Sequence, residues 1–296
     1  MSEYVSFTQS QFILSSGAGF QLKPEMALAF FKAKGLKESF AWQDMIAEEH
    51  ARAFTVAKMM DLDLLADTQR LLDMAMEKGE TMAWFRRNIM SYWKAKGWIG
   101  KKDVIDPKTG KLVRSQLGSA PRLKIIFRTN MQVSYSVGSW EMIQEQKHVA
   151  PYLLYDAVDD HRTRSEHKSH DRKVYPADHP FWDSWFPPNG WGCRCSVIQV
   201  TKKQAEKFGY KVSEPSKQKY FNWTNPRTGR RRKVPEGIDP GWDYNPGKTG
   251  QKELYRLQLE KIDAMPESMQ SSSLEGVSLT VKLLHEAQNN SDKGGG

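Results

Sequence analysis

Cysteine is scarce in this chain. Its 296 residues hold two, Cys193 and Cys195, and a bridge between residues that close would shut a very small, strained ring. With no sign of secretion in the sequence, a disulfide-stapled extracellular scaffold is excluded. Long apolar runs are missing too: no window approaches eighteen apolar residues, and the opening MSEYVSFTQSQFILSSG has no basic region followed by an apolar stretch. The expectation is a soluble cytoplasmic product that meets no membrane. The P-loop, the Rossmann glycine pattern and G-x-S-x-G are also absent. Nucleotide hydrolysis and esterase chemistry therefore lack support, and no small-molecule substrate is expected.

What is present is concentrated in one stretch, Asp159 to Val200. It holds four of the seven histidines (His161, His167, His170, His179), both cysteines, and Trp182, Trp185 and Trp191. Strand-like runs flank it, YLLYDAV at 152–158 and CSVIQV at 195–200. Between them the chain is too long and polar to hold itself by apolar burial, and Pro176, Pro180, Pro187, Pro188 and Gly190 forbid much regular structure. Two thiols spaced i, i+2 at the start of a strand project to one face. A loop histidine returning to meet them would complete the sulfur and nitrogen site that structural zinc prefers, and binding energy would add directly to folding. Cys193, Cys195 and His167 are the favoured donors, with the fourth position open to His170, His179 or Asp178. The plainer alternative is two buried, unliganded thiols with solvent-facing histidines.

Charge is uneven. Residues 201–256 carry fourteen Lys and Arg against six Asp and Glu, and so supply eight of the net +9. Within them KYFNW, an Asn-Pro-Arg-Thr-Gly turn and Arg230-Arg231-Arg232-Lys233 read as a hairpin with an exposed basic limb. Tyr220, Phe221, Trp223, Trp242 and Tyr244 lie among the charges, an interleaving that single-stranded nucleic acid binding uses. Packing and a charged, pairing-resistant edge are the structural alternatives.

The amino-terminal half is helical by pattern. PEMALAFFKAKG opens on Pro24 and stops at Gly35. Helices follow over about Gln43 to Met60, Leu62 to Lys78 and, capped by Thr81, to Gly97, with Met and aromatic stripes that are bundle core. VIDPKTGKLV at 104–113 reads as a hairpin. Helical character resumes from Ser119 to Val137, breaks at Gly138, and returns from Ser139 to about Lys147. Thr201 caps another helix ending at Gly209, and a short one is expected over Gln251 to Ala264. Leu274, Val277, Leu279, Val281, Leu283 and Leu284 make a brief apolar repeat in the tail.

Arg162-Thr163-Arg164, His167, Asp171, Lys173-Val174, Asp178, Pro180, Trp182, Pro187-Pro188-Asn189-Gly190 and Cys193-Arg194-Cys195 together resemble the phage head morphogenesis family of minor head proteins. PEMALAFFKAKG, Trp42 to Asp44, Glu49-His50 to Lys58, GWIG at 97–100 and PGWDYNPGK extend the resemblance over nearly the whole chain. Three departures stand out: Arg172 replaces a usual glycine, and His161 and His170 are extra histidines, which turns the ligand assignment toward His167. The resemblance implies a minor capsid component of the virion, assembled in the host cytoplasm beside portal, scaffold and major capsid proteins, in contact with packaged DNA. It implies no enzyme.

The expected fold is α+β. An arm (1–22) precedes a helical domain (23–100), a hairpin connector (101–118), an α+β domain with the Cys/His loop and basic hairpin (119–256), and a mostly polar tail (257–296). The catalytic alternative is a metal-dependent nuclease built on Asp160, His161, His167, His170 and Asp171.

Overall fold

A computed structural model describes residues 24–214 and 217–275. The fold is α+β. The expected arm at 1–22 and most of the apolar repeat in the tail lie outside the described residues. Within them, Leu274 packs on Tyr255 and Leu259.

Helix α1 (Pro24–Lys32) stops short of the expected glycine, because Gly35 instead opens strand β1 (Gly35–Leu36), which pairs in parallel with β2 (Ala53–Phe54). The long helix expected over 43–60 does not form. In its place stand a 3-10 turn at Trp42–Asp44 and the single-turn α2 (Glu49–Arg52). Ala47 and Lys58 take positive φ values of 51° and 68°, which no continuous helix tolerates. Backbone groups here are satisfied from outside: the Ala47 amide donates to the Gly241 carbonyl, the Lys58 amide to Ser39, and the Trp98 indole to the Lys58 carbonyl. Tertiary partners thus replace the helical ladder that periodicity implied.

Helices α3 (Leu62–Glu77) and α4 (Met82–Ala95) follow the expected stripes, capped by the Asp61 and Thr81 side chains. Their buried faces, with Phe31, Phe54, Trp93 and Trp98, make one hydrophobic cluster. The hairpin β3 (Lys101–Ile105) and β4 (Leu112–Gln116) forms as read.

Helix α5 (Ala120–Gln146) then runs unbroken through Gly138. A helical glycine costs about 1 kcal/mol, but burial at both ends of this helix outweighs that. Leu123 and Ile126 sit in the first cluster; Val133, Val137, Trp140 and Ile143 belong to a second, which holds both cysteines, Trp182 and Trp185.

Strand β5 (Tyr152–Asp156) is central in an antiparallel sheet, between β6 (Val174–Pro176) and β7 (Ser196–Val200). β6 lies inside the stretch read as irregular. Its three residues pair with 152–154 before the prolines take over. Leu153 and Tyr155 face the second cluster, whereas Leu154 faces Val200 and Ala205. Ala205 lies on α8 (Lys202–Phe208), which Thr201 caps and Gly209 ends in the left-handed region.

The hairpin β8 (Tyr220–Thr224) and β9 (Arg231–Pro235) is anchored at its turn. Arg227 reaches Asp106 in the β3–β4 turn at 2.7 and 3.1 Å, and also pairs with Asp44. The last helices are α9 (Pro246–Asp263) and α10 (Glu267–Glu275). α9 starts five residues earlier than expected, because Asn245 caps it by accepting from the Lys248 amide and Pro246 fits its first turn. It crosses α5 closely. A Cβ on Gly250 would lie 2.3 Å from the Val137 Cγ2, and one on Gly247 would lie 2.4 Å from the Trp140 Cβ.

Gly250→Ala should therefore destabilise the protein by about 1–3 kcal/mol through overpacking, measured as a lower urea midpoint with unchanged slope. Hydrogen bonds from Arg227 and from the Lys108 amide hold Asp106 down to about 2. At Asp44 burial works upward, but Arg227 and the Ala41 and Phe40 amides outweigh it and its pKa is lowered. A depressed carboxyl contributes stability that is complete above its unfolded pKa of about 4 and is lost as pH falls through the folded value. Arg227→Ala should therefore lower Tm at pH 7, and the gap from wild type should shrink between about pH 4 and pH 2.

Candidate metal centre

Three segments meet at His167. It lies on the short helix α6 (Ser165–Lys168) and is 2% exposed. Its Nε2 sits 3.0 Å from the Gly237 carbonyl. A carbonyl only accepts, so Nε2 carries the proton and Nδ1 keeps a lone pair in the neutral ring. Nδ1 faces both thiols, 3.5 Å from Cys195 Sγ and 3.8 Å from Cys193 Sγ.

All three donor atoms lie within 4.8 Å of one another and all three residues are buried. In tetrahedral zinc, with Zn–S about 2.3 Å and Zn–N about 2.0 Å, nitrogen and sulfur ligands stand about 3.5 Å apart. The donor set fits that geometry. A backbone carbonyl on the far ring nitrogen is also the usual way a ligating histidine is oriented.

The two thiols are unlike. Cys193 receives a hydrogen bond from Cys195 and further ones from the Asn189 and Cys195 backbone amides, and against the effect of burial its pKa falls to about 7. Cys195, donor in that bond and also buried, is pushed up.

The surrounding residues explain the Pro-Pro-Asn-Gly segment. Asn189 is fully buried; its Oδ1 accepts from the Tyr155 hydroxyl at 3.0 Å and its Nδ2 donates to the Ser184 carbonyl. Gly190 lies under the Arg164–Asp239 ion pair, and a Cβ there would come within 2.4 Å of both side chains. Gly237, at φ +95°, lies against Glu166 and Trp185. Arg194 of Cys-Arg-Cys clamps Asp160 through both guanidinium nitrogens, 2.7 and 2.5 Å away, and holds that carboxyl well below its ordinary range.

The proposed fourth ligands point elsewhere. His170 packs on Trp185 with ring centres 4.1 Å apart, and burial, with Lys173 and His167 adding, lowers its pKa to about 4. His179 stacks on Tyr175 while its Nδ1 accepts the Phe181 amide, and Asp178 pairs with Lys147 at 3.0 Å. The nuclease constellation is not brought together either: Asp160 serves Arg194 and Arg162, His161 is exposed, and Asp171 accepts from the Ala157 amide.

The basic limb divides. Arg230, Arg231 and Lys233 are exposed, but Arg232 is half-buried and pairs with Asp243 at 3.0 Å and Glu48 at 3.5 Å. The limb read as wholly exposed therefore has one structural member. Sequence reading missed Gly237, Tyr155 and the Arg164–Asp239 pair. Only pairing across the fold reveals them, since nothing local marks a carbonyl seventy residues from its histidine.

A small α+β domain pinned around a buried Cys/His cluster is the class these features define. Residues 67–198 match the family model described as Phage Mu protein F like protein, so that segment carries a Phage Mu protein F-like domain. It is 32% identical over 262 residues to the "Putative capsid assembly protein F" of Escherichia phage Mu, covering 82% of this chain and 59% of that protein. It is also 33% identical over 221 residues to the Mu-like prophage FluMu F protein of Haemophilus influenzae, covering 70% and 52% respectively. The chain thus spans between half and three-fifths of the length of these relatives. No solved structure matches it.

Arg172, at the position where the sequence resemblance leads one to expect glycine, takes φ +61° in the turn that returns to β5, its amide bonded to the Tyr155 carbonyl. A left-handed non-glycine residue costs about 1–2 kcal/mol, and the Arg172–Asp171 pair, 3.6 Å apart, is on the surface. Arg172→Gly should leave stability unchanged or raise it by about 1 kcal/mol, while Arg172→Val should lower it, both read from chemical denaturation.

Proposed function

We propose that this chain is a structural component of phage head assembly, a minor capsid protein that acts by docking rather than by turnover. The observation that carries this reading is the 32% identity, over 82% of the chain, to a protein named for capsid assembly. On this reading it belongs to the virion, is assembled in the host cytoplasm, and works beside the portal among scaffold and major capsid proteins.

The chemistry of the donor set supports a structural zinc ion, held by His167, Cys193 and Cys195, that when bound cross-links the 159–195 loop to the sheet. Burial of all three donors suits a structural site. The exposed cations of the basic limb, Arg230, Arg231 and Lys233, give packaged DNA a sequence-independent electrostatic contact.

Protein purified under reducing conditions should contain one zinc per chain by elemental analysis. Cys195→Ser should lose the metal and the chelator sensitivity of Tm. In a phage lacking the gene, complementation with wild type should restore DNA-filled heads, and the Cys195→Ser protein should restore far fewer. Metal-free protein whose sulfurs both alkylate rapidly in the native state would end the zinc assignment. Normal head yield without the gene would end the assembly role.

A further inference from the structure

Beside the metal centre, between the loop and the hairpin, lies a cavity of about 160 Å³ lined by Tyr175, His179, Phe181, Trp185 and Tyr220, with Ser184 and Gln218 as polar groups. Small-molecule and cofactor pockets run to about 300–1,000 Å³, so this one admits a single ring-sized group. Its wall is held by contacts among its own residues: Tyr175 stacks on Phe181 and on His179, Phe181 lies parallel to Trp185, and the Trp185 indole donates to the Gln218 side chain. Tyr220 closes the rim and is 55% exposed.

The register of the hairpin says what lies next to it. Tyr220 pairs with Pro235, Asn222 with Lys233 and Thr224 with Arg231. Side chains alternate along a strand, so Tyr220, Asn222 and Thr224 share one face with Lys233 and Arg231, and these five are all exposed. The opposite face turns inward except at Phe221, which is 38% exposed, with Val234 fully buried, Trp223 stacked on Trp42, and Arg232 paired with Asp243. The outer face therefore begins at an aromatic cavity and continues as two cations about 7 Å apart. Neither cation has an ion pair among the described residues, and the hairpin's acid, Glu236, falls outside the paired strands.

We infer that this surface binds single-stranded nucleic acid, with one unpaired base in the aromatic cavity and the flanking phosphates over Lys233 and Arg231. The inference rests on the DNA contact proposed above and narrows it to an unstacked strand. Every base has a π-face, so an aromatic slot next to cations takes a strand with little regard to sequence. A duplex keeps its bases stacked and can use only the cations.

The test is fluorescence anisotropy of the full chain with a labelled oligothymidylate and a duplex of equal length, titrated over a range of salt. The single strand should bind more tightly. Tyr220→Ala should weaken it about tenfold, as expected for loss of one stacked base, and leave the duplex unchanged. Tyr220→Trp should restore binding. Arg231→Ala with Lys233→Ala should weaken both ligands and reduce the single-strand salt slope by about 0.7 for each cation; Arg232→Ala should not change that slope. Equal affinity for both ligands with no effect of Tyr220→Ala would overturn the base-binding cavity while leaving the electrostatic contact standing. No binding of either ligand at low salt would overturn both.

Discussion

The arrangement depends on a single imidazole being held from both sides. His167 gives Nε2 to the Gly237 carbonyl and presents Nδ1 to two sulfurs. Through one ring the loop after β5, the turn after β9 and the strand entry at β7 are fixed to one another. Each of the three is weakly structured alone. α6 is four residues long, the Pro-Pro-Asn-Gly run cannot form a ladder, and Gly237 sits in a turn at φ +95°. A buried, three-way junction turns these short pieces into one body.

Around this point, polar groups find partners within the chain. Asn189 uses its side-chain carbonyl for Tyr155 and its amide for Ser184. Asp160, whose sequence neighbour His161 invites a catalytic reading, is consumed by two arginines. A carboxylate gripped on both oxygens, with its pKa pushed down, is a poor proton acceptor, and its role is to hold Cys-Arg-Cys in place. The same logic recurs at Arg227, which joins two hairpin turns and the 42–44 segment. Half-buried guanidinium groups thus tie together segments that are distant in the chain.

Much of this was legible in the residues, and the boundary between what was and was not has a physical basis. The stripes of α3 and α4, the Thr81 and Thr201 caps and both hairpins are local, written within a turn or a strand, and the structure follows them. That two thiols would meet a loop histidine was readable from i, i+2 spacing and a coreless loop, whereas the turn toward His167 among four histidines came from the family resemblance. What failed was decided elsewhere in the chain. The helix expected over 43–60 gave way to the carbonyls of Ser39 and Gly241 and the indole N–H of Trp98. Gly138 did not break α5, since packing at both ends carries it. Asn245 and Pro246 mark a helix start that the expectation over Gln251 to Ala264 passed over, and the close approach of Gly247 and Gly250 to α5 is set by packing that no local pattern reveals.

The run Arg231-Arg232-Lys233 shows why composition alone misleads about function. Three consecutive cations read as one patch, yet strand alternation divides them with a period of two. Arg232 shares its face with Val234, which is fully buried, and with Trp223, which stacks on Trp42. It can hold its charge there because Asp243 and Glu48 come to meet it. Its neighbours fall on the opposite face, beside Tyr220 and the aromatic cavity. A slip of one residue in this hairpin would exchange the two sets, burying unpaired charge and releasing an arginine from its acids. Val234 in the core and Arg227 locked at the turn to Asp106 and Asp44 make that exchange costly. The electrostatic surface is therefore set by what fixes the register, which the charge count of the segment does not reveal.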